Sequence, residues 1–572
     1  MTDVTLKVEN NTCVMDNGIL SITWKEDASV ASLLKDGIEL LKEVDPITKE
    51  TITRHTFYVD YHAEGKFRKF YVSSLNVITN TPDMAHICYI DTHGLLYLEY
   101  HIIMMKGMSG IYSYVIAKNN TDSEFTLSEL RTVYRFGTKI FDHGCNSERI
   151  GLQPTHKYME QYECLQDETY RLPDGEKYTN GDVYSKYDYA SYFSTNKAWG
   201  QFGHNYGFFV IPVCTDYYPS GPLKQELLVH YDGIVLNYFT GAHFGTGPFH
   251  VPMNWEKCYG PFFLYFNEGK DGPALYQDAL AVAAKEQTKW PYSWVNDPLY
   301  PLIRSTVTGK LILSDGTGCH NTTVVLAKKG LCFEKQTADY IYYTTTDDAG
   351  RFTLDHVRFG SYSLYAYQTG GDVTEQFEAD DISIQNKHVS LPDMTFCVPR
   401  RKKIWQIGTA TRTSDGFVFG GELRNYKWSQ MVPANLTYTI GISNDHADWY
   451  YAQTKPGIWN INFSFSPKEN ASYVLIIALS GVCAGSMTGR TEPYYAVKLN
   501  NSLIKEVTFL NDSSVYRSAT RNGRYRRLVI PISASLLTQG DNTISLCVDN
   551  CMIMYDTILF EQESDSACKP LS

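Results

Sequence analysis

The sequence predicts an all-β protein built from three sandwich-like domains in series, and three observations predict it. Tyrosine (43) and phenylalanine (27) are abundant, and aromatic side chains suit the half-buried surface of a pleated sheet. Short alternating runs recur between turn residues, as in LLYLEYHIIMM (95–105) and YGFFVIPV (206–213). Only one stretch, PALYQDALAVAAKEQTKW (273–290), carries Ala and Leu at helical spacing, with Pro291 as its stop. The 572 residues suit about three or four domains. With 43% hydrophobic and 20% charged residues, the composition is that of a foldable globular chain.

The helix and the WPYSWV that follows it close a first unit, residues 1–298, of the size of a large two-sheet sandwich. A second unit, 299–398, contains TVTGKLILSDG, VVLAKKG and DDAGRFTLDHVRFGSYSLYAYQTG. Its strand rhythm, with a tight-turn signal at Asp348, Ala349 and Gly350, predicts a small seven-strand sandwich. The basic run PRRKKIW (399–405) reads as a solvated linker. The third unit, 399–572, alternates strands through to NTISLCVDNCMIMYDTILFE and predicts a jelly roll. There are no internal repeats and no low-complexity tract.

Composition also excludes functions. A net charge of −12 argues against nucleic acid, and an acidic polymer would need a local basic cluster working against that field. No stretch approaches the ~20 apolar residues of a membrane helix, so no membrane is expected, and a monomer is. The opening MTDVTLKVENN has no basic segment followed by an apolar run, so a signal peptide is not expected. Localisation is divided between the cell interior and secretion or the periplasm after removal of a signal. Thirteen cysteines without CxxC pairs are expected to be mostly small buried hydrophobes. Cys547 and Cys551, four apart, are placed on one face of one strand. There is no GxSxG, HExxH, P-loop or Rossmann fingerprint.

The chemistry-bearing residues fall between 128 and 245. SELRTVYRFG (128–137) places Arg131 and Arg135 four apart, on one face of a strand, where two guanidiniums could converge on an anion. A pair of surface arginines is the plainer alternative. In DVYSKYDYASY (182–192), Lys186 stands among Tyr184, Tyr187, Tyr189 and Tyr192. Aromatic burial, and arginines if they lie nearby, would make it a neutral base; a snorkelling lysine is the alternative. SGPLKQELLVHYDGIVLNYFTGAHFG (220–245) contains Lys224, His230, Tyr238 and His243, the last between small residues that leave room for a ligand.

In this order SELRTVYR, SKYDYASY, GPLKQELLVH and NYFTGAHFG resemble the core motifs of rhamnogalacturonan lyases of polysaccharide lyase family 4. The resemblance continues through CYGPFFLYFNEG, KKIWQIGTATRTSDGF, DWYYAQ and NGRYRRLVIPISASLLTQGDNTISL, and so covers nearly the whole chain. It implies a galactose-mutarotase-like β-sandwich catalytic domain, a fibronectin-III-like domain and a carbohydrate-binding-module-like jelly roll. It places the catalytic lysine on Lys186, the catalytic histidine on His243 rather than His230, and the substrate arginines on Arg131 and Arg135. Many relatives carry a tyrosine where Leu236 stands here, which alters packing against the sugar.

The implied reaction is β-elimination on rhamnogalacturonan I. Removing the C5 proton of a galacturonate requires that its carboxylate be neutralised. Arg131 and Arg135 are expected to do this, since no acidic calcium-ligand cluster is evident nearby. No catalytic cofactor is therefore expected, although a structural calcium ion is allowed for. Lys186 would take the proton and His243 would protonate the leaving oxygen, or the reverse, with Tyr238, Tyr189 and Lys224 lining the sugar subsites. Two alternatives stand beside this: a non-catalytic carbohydrate-binding protein, and a mutarotase-like isomerase or glycoside hydrolase. The hydrolase would need a pair of carboxylates, with Glu226, Asp232 and Asp188 as candidates.

Overall fold

The computed structural model describes residues 2–44, 51–175, 177–178, 182–330, 332–485 and 492–564. The protein is all-β. Its N-terminal region pairs a nine-stranded sheet with a six-stranded one, preceded by a five-stranded sheet formed by the first strands in order. Strand alternation decides what fills the space between the two larger sheets. In the strand Phe125–Arg135, Tyr134 turns inward and meets Phe208 of the nine-stranded sheet, ring centroids 5.3 Å apart. Arg131, Val133 and Arg135 occupy the opposite face.

The predicted helix spans Gly272–Lys289. Asp271 caps it by accepting a hydrogen bond from Ala274 N at 2.8 Å, and Pro273 sits in its first turn, where no backbone donor is needed. Leu275, Tyr276, Ala279 and Ala283 form its buried stripe against the outer face of the nine-stranded sheet.

The second unit has the seven strands expected of it. A three-stranded sheet (Arg351–Val357, Ser305–Leu313, His388–Phe396) faces a four-stranded one (Tyr342–Thr345, Thr322–Lys328, Gly360–Gln368, Phe377–Ile384). The third unit is two five-stranded sheets, one of them centred on the strands Ser472–Ala484 and Cys551–Glu563.

Two expectations are corrected. The basic run is not a linker: Arg401–Gly408 is a strand paired with Cys551–Glu563, and Arg401 is half-shielded between Glu375 (3.1 Å) and Glu561 (3.6 Å). Carboxylates on neighbouring segments turned a charge run into a sheet edge. Cys547 and Cys551 lie on separate strands, Gly540–Val548 and Cys551–Glu563, joined by a turn. Of the twelve described cysteines seven are buried, but Cys164 and Cys332 are exposed. The thirteenth, Cys568, lies outside the described residues. Trp449 and Trp459 are core residues packed edge to face at 5.1 Å.

Candidate active site

The site is built on the outward face of the six-stranded sheet. Register places Arg131 between Tyr238 and Asp60, and places Arg135 beside Ile234, which in turn lies beside His230. Leu236 pairs with Val133 between these two rows, so an apolar strip separates the two arginines. Four residues of strand separate Arg131 from Arg135, about 13 Å of backbone.

Arg131 is heavily engaged. Its Nε donates to Asp60 Oδ1 at 2.7 Å, and its Nη1 lies 2.5 Å from the Tyr238 hydroxyl and 3.1 Å from Glu129 Oε2. Burial pushes the Asp60 carboxyl up despite the guanidinium beside it. Arg135 differs: its guanidinium lies 5.8 Å from the Tyr58 ring, and it pairs with no carboxylate among the described residues.

Lys186 begins a short 3-10 turn, Lys186–Tyr189, at the end of a small hairpin. The hairpin pairs Thr169 with Ser185, and their hydroxyls are 2.8 Å apart. Ser185 caps the turn by accepting from Tyr187 N. This pairing carries Asp167 and Glu168 to the lysine, whose Nζ is 2.7 Å from Asp167 Oδ1 and 3.9 Å from Glu168 Oε2. His230 holds Glu168 in turn, Nε2 to Oε2 2.6 Å. Burial would raise the Glu168 carboxyl, but His230 and Lys186 bring it down to about 2. The charges nearest Lys186 are therefore carboxylates, not the arginines expected from sequence. Its local sequence is dominated by tyrosines, and the acidic pair that reaches it arrives through hairpin register.

His243 follows the strand Ile234–Gly241. Its Nδ1 is 2.5 Å from Glu226 Oε1, and its Nε2 is 3.7 Å from Glu129 Oε1. Burial works to raise Glu226, yet His243 and Lys224 hold it down at about 2, so it is a carboxylate that only accepts. Nδ1 therefore carries a hydrogen, and Nε2 is the nitrogen left for other work.

Tyr187 and Tyr238 join these groups. The His243 ring meets Tyr238 edge to face at 5.7 Å and Tyr187 at 5.8 Å, and Lys186 Nζ lies 5.3 Å from the Tyr187 ring. The Tyr187 hydroxyl also donates to Asp167. Arg131, Tyr238, His243, Tyr187 and Lys186 thus form one continuous chain of contacts.

Two residues expected to line sugar subsites are placed elsewhere. Lys224 is 2% exposed, and its ammonium is taken by Glu226 Oε2 (3.1 Å) and the carbonyls of Gly241 (3.2 Å) and His243 (2.7 Å). Burial lowers its pKa. It braces the histidine from beneath. Tyr189 packs against Gly144 and Gly151, with Arg149 5.4 Å from its ring. The carboxylates a hydrolase would pair are also apart in function. Asp188 is tied to Arg149 at 3.3 Å and pushed up to about 6 by burial, Asp232 is tied to Arg54, and Glu226 serves His243.

Sequence reasoning missed Asp60, Glu129, Asp167, Glu168 and the partnership of Tyr187. Only Glu129 had a usable signal, since it stands two residues before Arg131 on the same strand. The expected local basic cluster exists, but interleaved with carboxylates. Among the described residues one group could hold a metal ion, Cys88, Glu99 and His101. It lies on the nine-stranded sheet, and its thiol and imidazole are not a calcium donor set.

Three family models match the chain: the rhamnogalacturonate lyase family over residues 1–158, and polysaccharide lyase family 4 domain II over 316–390 and domain III over 403–560. A rhamnogalacturonate lyase of Dickeya dadantii is 40% identical over 97% of this chain and 94% of its own length. Probable rhamnogalacturonate lyases B of Neosartorya fischeri and Aspergillus niger are 25% and 26% identical, over 94% and 73% of this chain and 92% and 66% of their own lengths. With that breadth of similarity, the chain belongs to the rhamnogalacturonate lyase family, the polysaccharide lyases of family 4.

Proposed function

We propose that this lyase cuts the rhamnose-α-1,4-galacturonate bond of rhamnogalacturonan I by β-elimination, leaving an unsaturated galacturonate at the new non-reducing end. The observation that carries the reading is the single contact chain linking a lysine, a histidine and an arginine, each with its own carboxylate.

The C5 proton passes to Lys186 Nζ, the C5 electron pair forms the C4–C5 double bond, and the C4–O bond breaks. The departing rhamnose oxygen takes a proton from His243 Nε2. Glu226 accepts the Nδ1 hydrogen bond at 2.5 Å, so Nε2 is the nitrogen that donates. Each proton transfer is worth ~10²–10⁴-fold. Arg131 is already matched by Asp60 and Glu129, so its task is to fix Tyr238 and the floor of the site. Arg135, without a carboxylate partner among the described residues, neutralises the galacturonate carboxylate and steadies the enolate-like intermediate. Tyr238, and Tyr187 in place of Tyr189, border the sugar. No catalytic metal is needed for these steps, and the chain acts as a monomer on a polysaccharide.

The test is turnover of rhamnogalacturonan I followed by near-ultraviolet absorbance. The wild type generates an absorbing unsaturated uronate, whereas Lys186→Ala binds substrate and generates none. Saturated products from the wild type would sink the lyase chemistry, and full activity in Lys186→Ala would remove the lysine from it.

A further inference from the structure

The third domain reaches into the site. Tyr187, Ala190 and Phe244 belong to the same apolar cluster as Trp405, Trp449 and Tyr516 of that domain. Gly245 N, two residues after His243, donates to Asp512 O at 2.8 Å. A Cβ on Gly245 would come within 3.0 Å of the Gly523 backbone, so the two domains touch main chain to main chain here. Gln166, beside Asp167, donates to the carbonyl of Tyr516, 350 residues away in sequence.

At the centre of this contact is Arg517. Its Nη2 lies 4.0 Å from Asp167 Oδ2, and its guanidinium lies 5.3 Å from the rings of both Tyr187 and Tyr516. The side chain is 13% exposed, and its Nε is buried without a partner among the described residues. The arginine thus offers charge and a flat face rather than a tight ion pair.

Its base is firmly held. Asp512 accepts from Val482 N (2.7 Å), Ser514 Oγ (2.6 Å), Arg524 N (3.0 Å) and Arg526 Nη1 (2.9 Å), which fixes the Val515–Arg517 turn.

We propose that Arg517 is a positioning residue for the reaction of Lys186: the third domain supplies the cation that shares Asp167 with the lysine and holds Tyr187 between them. This rests on the reading of Lys186 as the base. Asp167 anchors Lys186 through Oδ1 at 2.7 Å, and a carboxylate so close draws positive charge toward it. A second cation on the other oxygen of Asp167 offsets that pull and lets the lysine act as a base without losing its anchor. The other charged groups facing this lysine and its partner are Glu168, backed by His230, and Tyr187; Glu226 and Lys224 lie within electrostatic reach of Arg517.

The experiment compares Arg517→Gln and Arg517→Lys with the wild-type full-length enzyme on rhamnogalacturonan I, over a range of pH. Arg517→Gln is expected to lose ~10–100-fold in kcat, with KM within about threefold. The limb of its kcat profile that reports the base moves to higher pH, since a cation facing that base has gone. Arg517→Lys, which keeps the charge, restores most of kcat and the wild-type limb. Equal activity of the two variants overturns the proposal. So does a loss confined to KM, or a loss accompanied by collapse of the near-ultraviolet circular dichroism, which would make Arg517 a substrate contact or a packing element. If the wild type itself gives no unsaturated product, the reaction assigned to the site fails instead, and the two failures are distinct.

Discussion

Replacing Glu226 by glutamine separates what the buried carboxylate does for the histidine from what it does for the fold. Glu226 has no exposed side-chain surface and serves two cations, His243 at 2.5 Å and Lys224 at 3.1 Å. For catalysis, an amide at this position can face Nδ1 with its NH2 and force the wrong tautomer. The loss in kcat approaches the worth of the general acid, ~10²–10⁴-fold. For stability, Lys224 loses its carboxylate partner in the interior. Breaking a buried pair costs about 3–5 kcal/mol, and the two carbonyls that still hold Lys224 place this case near about 3 kcal/mol. A second change, Lys224→Met, removes the orphaned charge and recovers most of that stability while activity stays lost. Initial rates on rhamnogalacturonan I oligomers read the catalytic effect, and urea denaturation reads the effect on the fold. A Glu226→Gln enzyme within about threefold of wild-type kcat would refute the assignment of His243 as a proton donor tuned by this carboxylate.

Arg135→Ala should lower kcat/KM more than Arg131→Lys raises KM, because only Arg135 is free of carboxylates among the described residues; steady-state kinetics decides, and the reverse order would exchange the two roles. Glu226 has a folded-state pKa of about 2, below its unfolded value of ~4.3. Its contribution to stability is present above ~4.3 and fades as pH falls toward 2. In Glu226→Gln/Lys224→Met, urea midpoints should therefore decline less between neutral and acid pH than in the wild type. Lys257 is fully buried, donates to the carbonyls of Thr337 (2.9 Å) and Asp339 (2.8 Å), and is pushed down by burial to about 7. With its folded pKa below the unfolded one, it costs stability below 7, and that cost vanishes as pH rises toward ~10.4. Lys257→Met should thus raise the urea midpoint more near pH 6 than near pH 10, and an equal gain at both would contradict the burial argument.

Much of the fold was legible because it is written in local patterns. The helix announces itself by Ala and Leu spacing with Asp271 and Pro273 at its start. The seven strands of the second unit follow the turn signals. The arginine strand was legible as well, since alternation alone puts Arg131 and Arg135 on one face. What the sequence does not display is register between distant segments. Nothing near Lys186 shows that a hairpin returns Asp167 and Glu168 to it, and nothing near His243 shows that Glu226 lies beneath it. The same holds for PRRKKIW, where a charge run becomes a strand because Glu375 and Glu561 meet Arg401 from elsewhere. Arg517 is the extreme case: it reaches the site from another domain.

The central claim is elimination rather than hydrolysis, and the most direct measurement is the mass of the products formed in heavy-oxygen water. Elimination breaks the C4–O bond without adding solvent, so the new non-reducing-end fragment should be lighter by one water than its hydrolytic counterpart, whereas hydrolysis would put the heavy oxygen on rhamnose C1 of the other fragment. A product of full mass with the heavy label at the cut would contradict it, and the roles of Lys186 as base, His243 as acid and Arg135 as carboxylate partner would fall together.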